Sequence, residues 1–178
     1  MNVGVLGSGG REHALCFSLK KSDKIKKIYC FPGNAGTNSL ATNINIDLND
    51  FEKLKDFIIQ NKIDFIIVGP EKPLVDGIVN YLEKFNIRVF GPNKIASQLE
   101  GSKIFTKKLC EKYKIPTAKF GIFLNVKTAL SFLKNCNFPI VIKADGLAAG
   151  KGVYISENYK EAEKAVNEIF NGKFGETE

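Results

Sequence analysis

The sequence predicts an α/β protein in which a doubly wound, Rossmann-like parallel-sheet domain is followed by a partial α+β domain. Three observations predict it. Short apolar runs alternate with amphipathic segments over residues 1–92, and turn-forming glycines and prolines stand at the ends of those runs. After Ile115-Pro116 the order changes, and two strand-like runs follow one another across a glycine-rich turn. Strands joined by helix-length connections need crossovers, which give a parallel sheet covered on both faces.

VGVLG at 3–7 reads as the first buried strand, and the glycine loop after it opens a helix. IYCF at 28–31 is the second. Phe51, Leu54, Phe57 and Ile58 give one apolar helix face before DFIIVG at 64–69. Leu74, Ile78, Leu82 and Phe85 give another before RVFG at 88–91. In such sheets ligands bind beyond the carboxyl ends of the strands, where Gly7–Gly10, Pro32–Gly36, Gly69–Glu71 and Gly91-Pro92 form one rim. A helical stretch through Lys103, Phe105 and Leu109 ends before Pro116, because proline disfavours helix at the residue before it. Beyond it the pattern predicts a strand near Lys119 to Phe123, a helix over 127–135 and a strand PIVIK at 139–143. A glycine turn, a strand VYI and a helix from Asn158 to Phe170 follow. The expected organisation is a doubly wound domain at 1–92, a connecting helical segment at 93–116 and a partial α+β subdomain at 117–178. That last subdomain is expected to be truncated, since GKFGETE directly follows its final helix.

Composition narrows the function classes. A hydrophobic content of 44% with 25% charged residues is that of an ordinary globular protein, and no apolar run approaches a membrane span. A cytoplasmic location is expected, with neither a membrane nor a nucleic acid as partner. The net charge of +7 comes from lysines spread along helix faces, without aromatic interleaving or a recognition motif. Cys16, Cys30, Cys110 and Cys136 contain no CxxC pair, which fits reduced buried thiols rather than a disulfide framework or zinc site.

Gly7-Ser8-Gly9-Gly10-Arg11-Glu12-His13 joins a strand to a helix, where free N–H groups and the helix dipole favour an anion. A bare tight turn is the plainer reading, but Arg11 adds a fork-shaped donor suited to phosphate or carboxylate. Glu12 occupies the third glycine position of the dinucleotide fingerprint, and no acid ends the second strand, so a nicotinamide dinucleotide is disfavoured. His13 reads as a cap, a packed ring or a site-lining residue. Pro32-Gly33-Asn34-Ala35-Gly36-Thr37 is turn chemistry placed on the same rim. Glu71 and Asp76 offer carboxylates for an amine or for ribose hydroxyls, and Asp76 can equally serve as a helix-start charge.

Pro139 to Val153 is the most informative segment. Lys143 ends a run of four apolar residues, where an unpaired ammonium would be costly, so a partner such as a nucleotide phosphate is expected. The following ADGLAAGKG is not a Walker A loop, because Asp145 and Gly152 stand at two of its defining positions and a strand follows. A glycine loop between two strands suits a flap over a triphosphate.

Together GSGGREHA at 7–14, PGNAGT at 32–37, GPEKPLVDG at 69–77, LEGSKIFTK at 99–107 and PIVIKADGLAAGKGV at 139–153 resemble the phosphoribosylamine-glycine ligase family of the ATP-grasp superfamily, in order and in spacing. The resemblance implies ATP-dependent ligation of glycine to 5-phosphoribosylamine through a glycyl phosphate, giving glycinamide ribonucleotide, ADP and phosphate. It implies ATP contacts at Lys103, Lys143, Gly146, Gly150, Lys151 and Gly152, with Lys143 assisting phosphoryl transfer. It implies substrate contacts at Gly9, Gly10, Arg11, Glu12, His13, Asn34, Gly36, Thr37, Glu71 and Asp76. Magnesium ligands lie in the C-terminal half of that family, so none is expected here, and these 178 residues alone are expected to lack ligase activity. Fusion to other purine-pathway enzymes is left open. Two other readings stay open at this level: another ATP-grasp carboxylate-amine ligase, and a non-catalytic module that binds a phosphosugar or nucleotide.

Overall fold

The computed structural model describes residues 1–147 and 152–173, and these divide into two compact units, Met1–Gln98 and Leu99–Glu178. In the first unit β1 (Asn2–Gly7) is the central strand, flanked by β2 (Lys27–Pro32) and β4 (Phe65–Val68). Two-residue strands β3 (Thr42–Asn43) and β5 (Val89–Phe90) complete the all-parallel order β3-β2-β1-β4-β5. β1 is buried almost throughout because apolar or glycine residues fill it from Val3 to Gly7, as a central strand covered on both faces requires. The short β3 lies beyond the sequence-based expectation, since Thr42–Asn43 carries no apolar run and pairs only with Tyr29 and Cys30.

Helices α1 (Gly10–Lys20), α2 (Phe51–Gln60), α3 (Glu71–Asp76) and α4 (Ile78–Glu83) make the crossovers. Cys16 of α1 packs with Val5, Ile28 and Cys30 of the sheet. A separate cluster joins Leu6, Phe31 and Ile66 to Leu54 and Ile58 of α2 and to Ile78 and Leu82 of α4. Adjacent strand residues such as Val5 and Leu6 feed different clusters, so both faces of the sheet are covered. Each fully buried leucine or isoleucine contributes about 2 kcal/mol through removal from water. The Phe57 ring adds edge contacts to Tyr29 at 5.7 Å and Phe31 at 5.5 Å.

The apolar series Leu74, Ile78, Leu82 does not run along one helix. Gly77 adopts φ +98°, its N–H closes onto Pro73 and Leu74, and α4 restarts behind it. That left-handed residue is a helix terminator, and it divides the segment into α3 and α4.

In the second unit the two-stranded antiparallel sheet of β6 (Ile140–Lys143) and β7 (Val153–Ser156) packs with α7 (Val126–Leu133) and α8 (Tyr159–Phe170). Ala129, Leu133, Ala162 and Val166 form its core. Asn125 and Asn158 cap α7 and α8 through bonds to the Thr128 and Glu161 N–H groups, each worth about 1 kcal/mol. The helix α5 (Lys94–Gly101) runs through the residues at which the units divide, and α6 (Lys103–Lys112) follows it. The strand expected near Lys119 to Phe123 is not formed. Those residues have no ladder partner, and Phe123 instead packs on the core and on the Phe132 ring at 4.9 Å. Among the described residues no helix is long and apolar enough to cross a membrane.

Candidate ligand site at the carboxyl rim of the sheet

The rim is built where β1 and β4 end side by side, with their crossovers leaving in different directions. Gly7 closes β1 with φ +126°, Ser8 and Gly9 make the turn, and α1 begins at Gly10. Ser8, Gly9 and Gly10 are exposed. The helix start is not an empty anion site, because Oε2 of Glu12 accepts from the Gly9 N–H at 2.6 Å. Glu12 is 4% exposed, and Gly7 and Gly69 give it room. A β-carbon on Gly7 would fall 2.5 Å from Glu12 Cδ, and one on Gly69 would fall 2.7 Å from the same atom. Among the described residues the other carboxylate oxygen, Oε1, is buried without a hydrogen-bond partner.

Arg11 reaches from α1 across to the end of β4. Its Nη1 donates to the Gly69 carbonyl at 2.8 Å and to Glu71 Oε1 at 2.9 Å. That hydrogen bond, with the charge of Arg11 and a local backbone bond, holds the Glu71 carboxyl below the usual glutamate range. In return the bond to Glu71 raises the Arg11 guanidinium further above its already high value. Both side chains stay partly exposed, so the pair is reachable from solvent.

The loop after β2 is tied to the same turn. Asn34 Nδ2 donates to the Ser8 carbonyl at 2.8 Å, and His13 lies against Gly36, where a β-carbon would meet its ring at 3.0 Å. Thr37 is fully buried, donates to Asn43 Oδ1 at 2.8 Å and receives the Asn34 N–H at 2.8 Å. Thus Thr37 and Asn34 shape and fasten this loop. Asp76 stands at the end of α3, not at a helix start, and pairs with Lys72 at 2.7 Å. The structure therefore brings Gly9, Arg11, Glu12, His13, Asn34, Gly36 and Glu71 into one linked set, and ties Asp76 elsewhere.

A second cluster belongs to the other unit. Asp145 accepts from the Ser102 hydroxyl at 2.9 Å and from the Ile104 N–H at 3.1 Å, so it caps α6 beside Ser102 itself. Lys103 Nζ donates to the Gly146 carbonyl at 2.8 Å, and the Ala144 N–H closes onto Gly152 at 2.8 Å. Lys143 differs from expectation. It is exposed on the open face of β6, beside Val141 at 51%, because helices cover only one face of a two-stranded sheet. No desolvation cost therefore demands a partner for it. Gly150 and Lys151 lie outside the described residues. Sequence reading missed the roles of Asp145, Gly7 and Gly69, although an aspartate following a strand and a serine before a helix were visible capping signals. Among the described residues no group of three or more His, Cys, Asp or Glu side chains is placed to hold a metal ion.

Family models account for the whole chain. The N domain of phosphoribosylglycinamide synthetase matches residues 1–100, and its ATP-grasp (A) domain matches residues 101–178. The chain belongs to the phosphoribosylglycinamide synthetase family. A phosphoribosylamine-glycine ligase of Caldanaerobacter subterraneus is 52% identical over 167 residues, covering 94% of this chain and 40% of the relative. That of Clostridium acetobutylicum is 47% identical over 177 residues, covering 97% of this chain and 42% of the relative. The crystal structure of the Thermotoga maritima phosphoribosylamine-glycine ligase superposes with a TM-score of 0.78 at 31% identity, over 98% of this chain and 40% of that one. The chain thus spans about 40% of the length of the family members it matches.

Proposed function

We propose that this chain is the substrate-binding and lid-forming portion of an ATP-dependent ligase that joins glycine to 5-phosphoribosylamine. The observation that carries the reading is the 52% identity to a phosphoribosylamine-glycine ligase across nearly the whole chain. The rim supports it chemically. Arg11 offers a planar cation for a sugar phosphate, and Glu71 offers an acceptor for ribose hydroxyls or an amine. Gly9, Gly10, Glu12, His13, Asn34, Gly36 and Thr37 shape the turn that presents Arg11, and Asp76 joins the set only by exchanging Lys72 for ligand.

In the proposed reaction a glycine carboxylate oxygen bonds to the γ-phosphorus as the bond to ADP breaks, and the sugar amine then displaces phosphate from the acyl phosphate. Lys103 and Lys143 are proposed to face the triphosphate, stabilising charge on the transferred group, with Gly146 and Gly152 at the stem of the loop above it. Lys103 now bonds the Gly146 carbonyl, so engaging phosphate means sharing or exchanging that bond. Magnesium would neutralise phosphate charge when bound. The described residues offer it no carboxylate cluster, and no step here runs through it. A cytoplasmic setting accompanies the reading.

The test is ADP release with ATP, magnesium, glycine and freshly prepared phosphoribosylamine. It compares the 178-residue chain with a chimera carrying it in place of the matching part of the Caldanaerobacter relative. Glycine-dependent turnover by the chimera alone is expected. A folded chimera that hydrolyses ATP without needing the sugar amine would overturn the substrate assignment.

A further inference from the structure

The rim contains an atom that its own network does not explain. Oε1 of Glu12 is a buried carboxylate oxygen without a hydrogen-bond partner among the described residues, on a side chain only 5% exposed. Leaving such an oxygen unpaired is unfavourable, and more so for a charged group. Two side-chain-free positions, Gly7 and Gly69, are nonetheless used to seat it there. Its near neighbour is Arg11 Nε at 3.9 Å, too far for a hydrogen bond yet about 1 Å from one. Arg11 meanwhile uses Nη1 for both of its bonds, to Gly69 and to Glu71.

We propose that Glu12 is a positioning residue that receives Arg11 when ligand binds. A ligand whose hydroxyl or amine donors engage Glu71 weakens the Arg11–Glu71 bond. Arg11 then closes its Nε–H onto Glu12 Oε1, and the opposite edge of the guanidinium turns to the ligand's anionic group at the start of α1. The ligand class is a phosphorylated sugar, whose anion and hydroxyls lie a few bonds apart. A simple anion occupies Arg11 without releasing it from Glu71. The inference rests on the sugar-phosphate reading of this rim, and it adds Glu12 as the anchor of the bound state.

The chain carries two arginines, Arg11 and Arg88, so ¹⁵N-arginine labelling gives two Nε–H signals. Arg88 Nε donates to the Asp64 carbonyl, away from the rim, and serves as an internal reference. Ribose 5-phosphate added to the intact chain is expected to shift the Arg11 signal and slow its exchange with water at least tenfold, while inorganic phosphate shifts it without slowing exchange. E12Q is expected to weaken ribose 5-phosphate binding about tenfold or more and to abolish the slowed exchange. In an R11K background, which lacks Nε–H, E12Q should change affinity by less than twofold. Equal protection in E12Q and the parent chain would overturn the role of Glu12 and leave the sugar-phosphate reading standing. No response of the parent chain to ribose 5-phosphate would overturn both. If E12Q does not fold, the parent chain decides alone, because Arg11 exchange that stays unchanged or quickens on ligand addition sinks the proposal.

Discussion

At the scale of single residues, the rim separates stability from binding. The Arg11–Glu71 pair is partly exposed, so E71Q should cost less than about 1 kcal/mol in urea unfolding while weakening ribose 5-phosphate binding severalfold. Because the folded state holds the Glu71 carboxyl below its ordinary value, the pair's small contribution is complete above that value and is lost as pH falls through the depressed one. A comparison of parent and E71Q unfolding between pH 7 and pH 3 should therefore show their stabilities converging at the acid end. The thiols divide similarly. Cys16 and Cys30 are buried, and the hydrogen bond to Cys30 together with burial pushes the Cys16 thiol up, whereas Cys110 and Cys136 are half-buried. Two thiols should react readily with a water-soluble reagent in the native chain, and the other two only on unfolding. Arg11, Glu12 and Glu71 were nameable from the sequence because residue type and position on a strand end carry that information. The reach of Arg11 to Gly69 and Glu71 was not, because it crosses 58 and 60 residues of chain.

At the scale of elements, Gly77 decides the geometry after β4. G77A places an L side chain at φ +98°, where the three nearest atoms all belong to the Lys94 side chain, the closest at 3.2 Å, so the cost is mainly a backbone one of about 1–2 kcal/mol. A lowered urea midpoint with an unchanged slope would show it. N158A should cost about 1 kcal/mol through loss of the bond to the Glu161 N–H. Four of the five strands of the first unit were legible because each is an apolar run with a turn at its end, whereas β3, which carries no such run, was not. The break at Gly77 was hidden because apolar spacing continues across it from Leu74 to Ile78. KFGIF looked like a strand by composition alone, and a strand without a neighbour cannot pair its amides.

At the scale of the whole molecule, the two units differ in how their sheets are covered. The first sheet is packed on both faces, whereas the second leaves Val141 and Ile155 exposed, at 51% and 70%. Amide exchange should therefore be slowest in β1 and β4 and much faster in β6 and β7, with α8 intermediate. A uniform protection profile would contradict this. The α/β class and the alternation of elements followed from periodicity, while the open face of the second sheet did not. Apolar alternation marks which residues share a face but not whether anything covers it, which is why Lys143 read as an ammonium in apolar surroundings.

The seat of Glu12 has a consequence for how this chain tolerates change. Gly7 and Gly69 stand at the ends of strands adjacent in space but are 62 positions apart in sequence, and the same carboxylate excludes a side chain at both. In a saturation library selected for ligand binding, both columns should be blank. Shortening the glutamate with E12D withdraws Oε1 and Cδ but keeps Cγ, which lies 2.9 Å from a β-carbon on Gly69, so it should ease alanine at Gly69 in part and leave Gly7, with its left-handed backbone, closed. Two intolerant sites with one shared cause would then be told apart by a single compensating change.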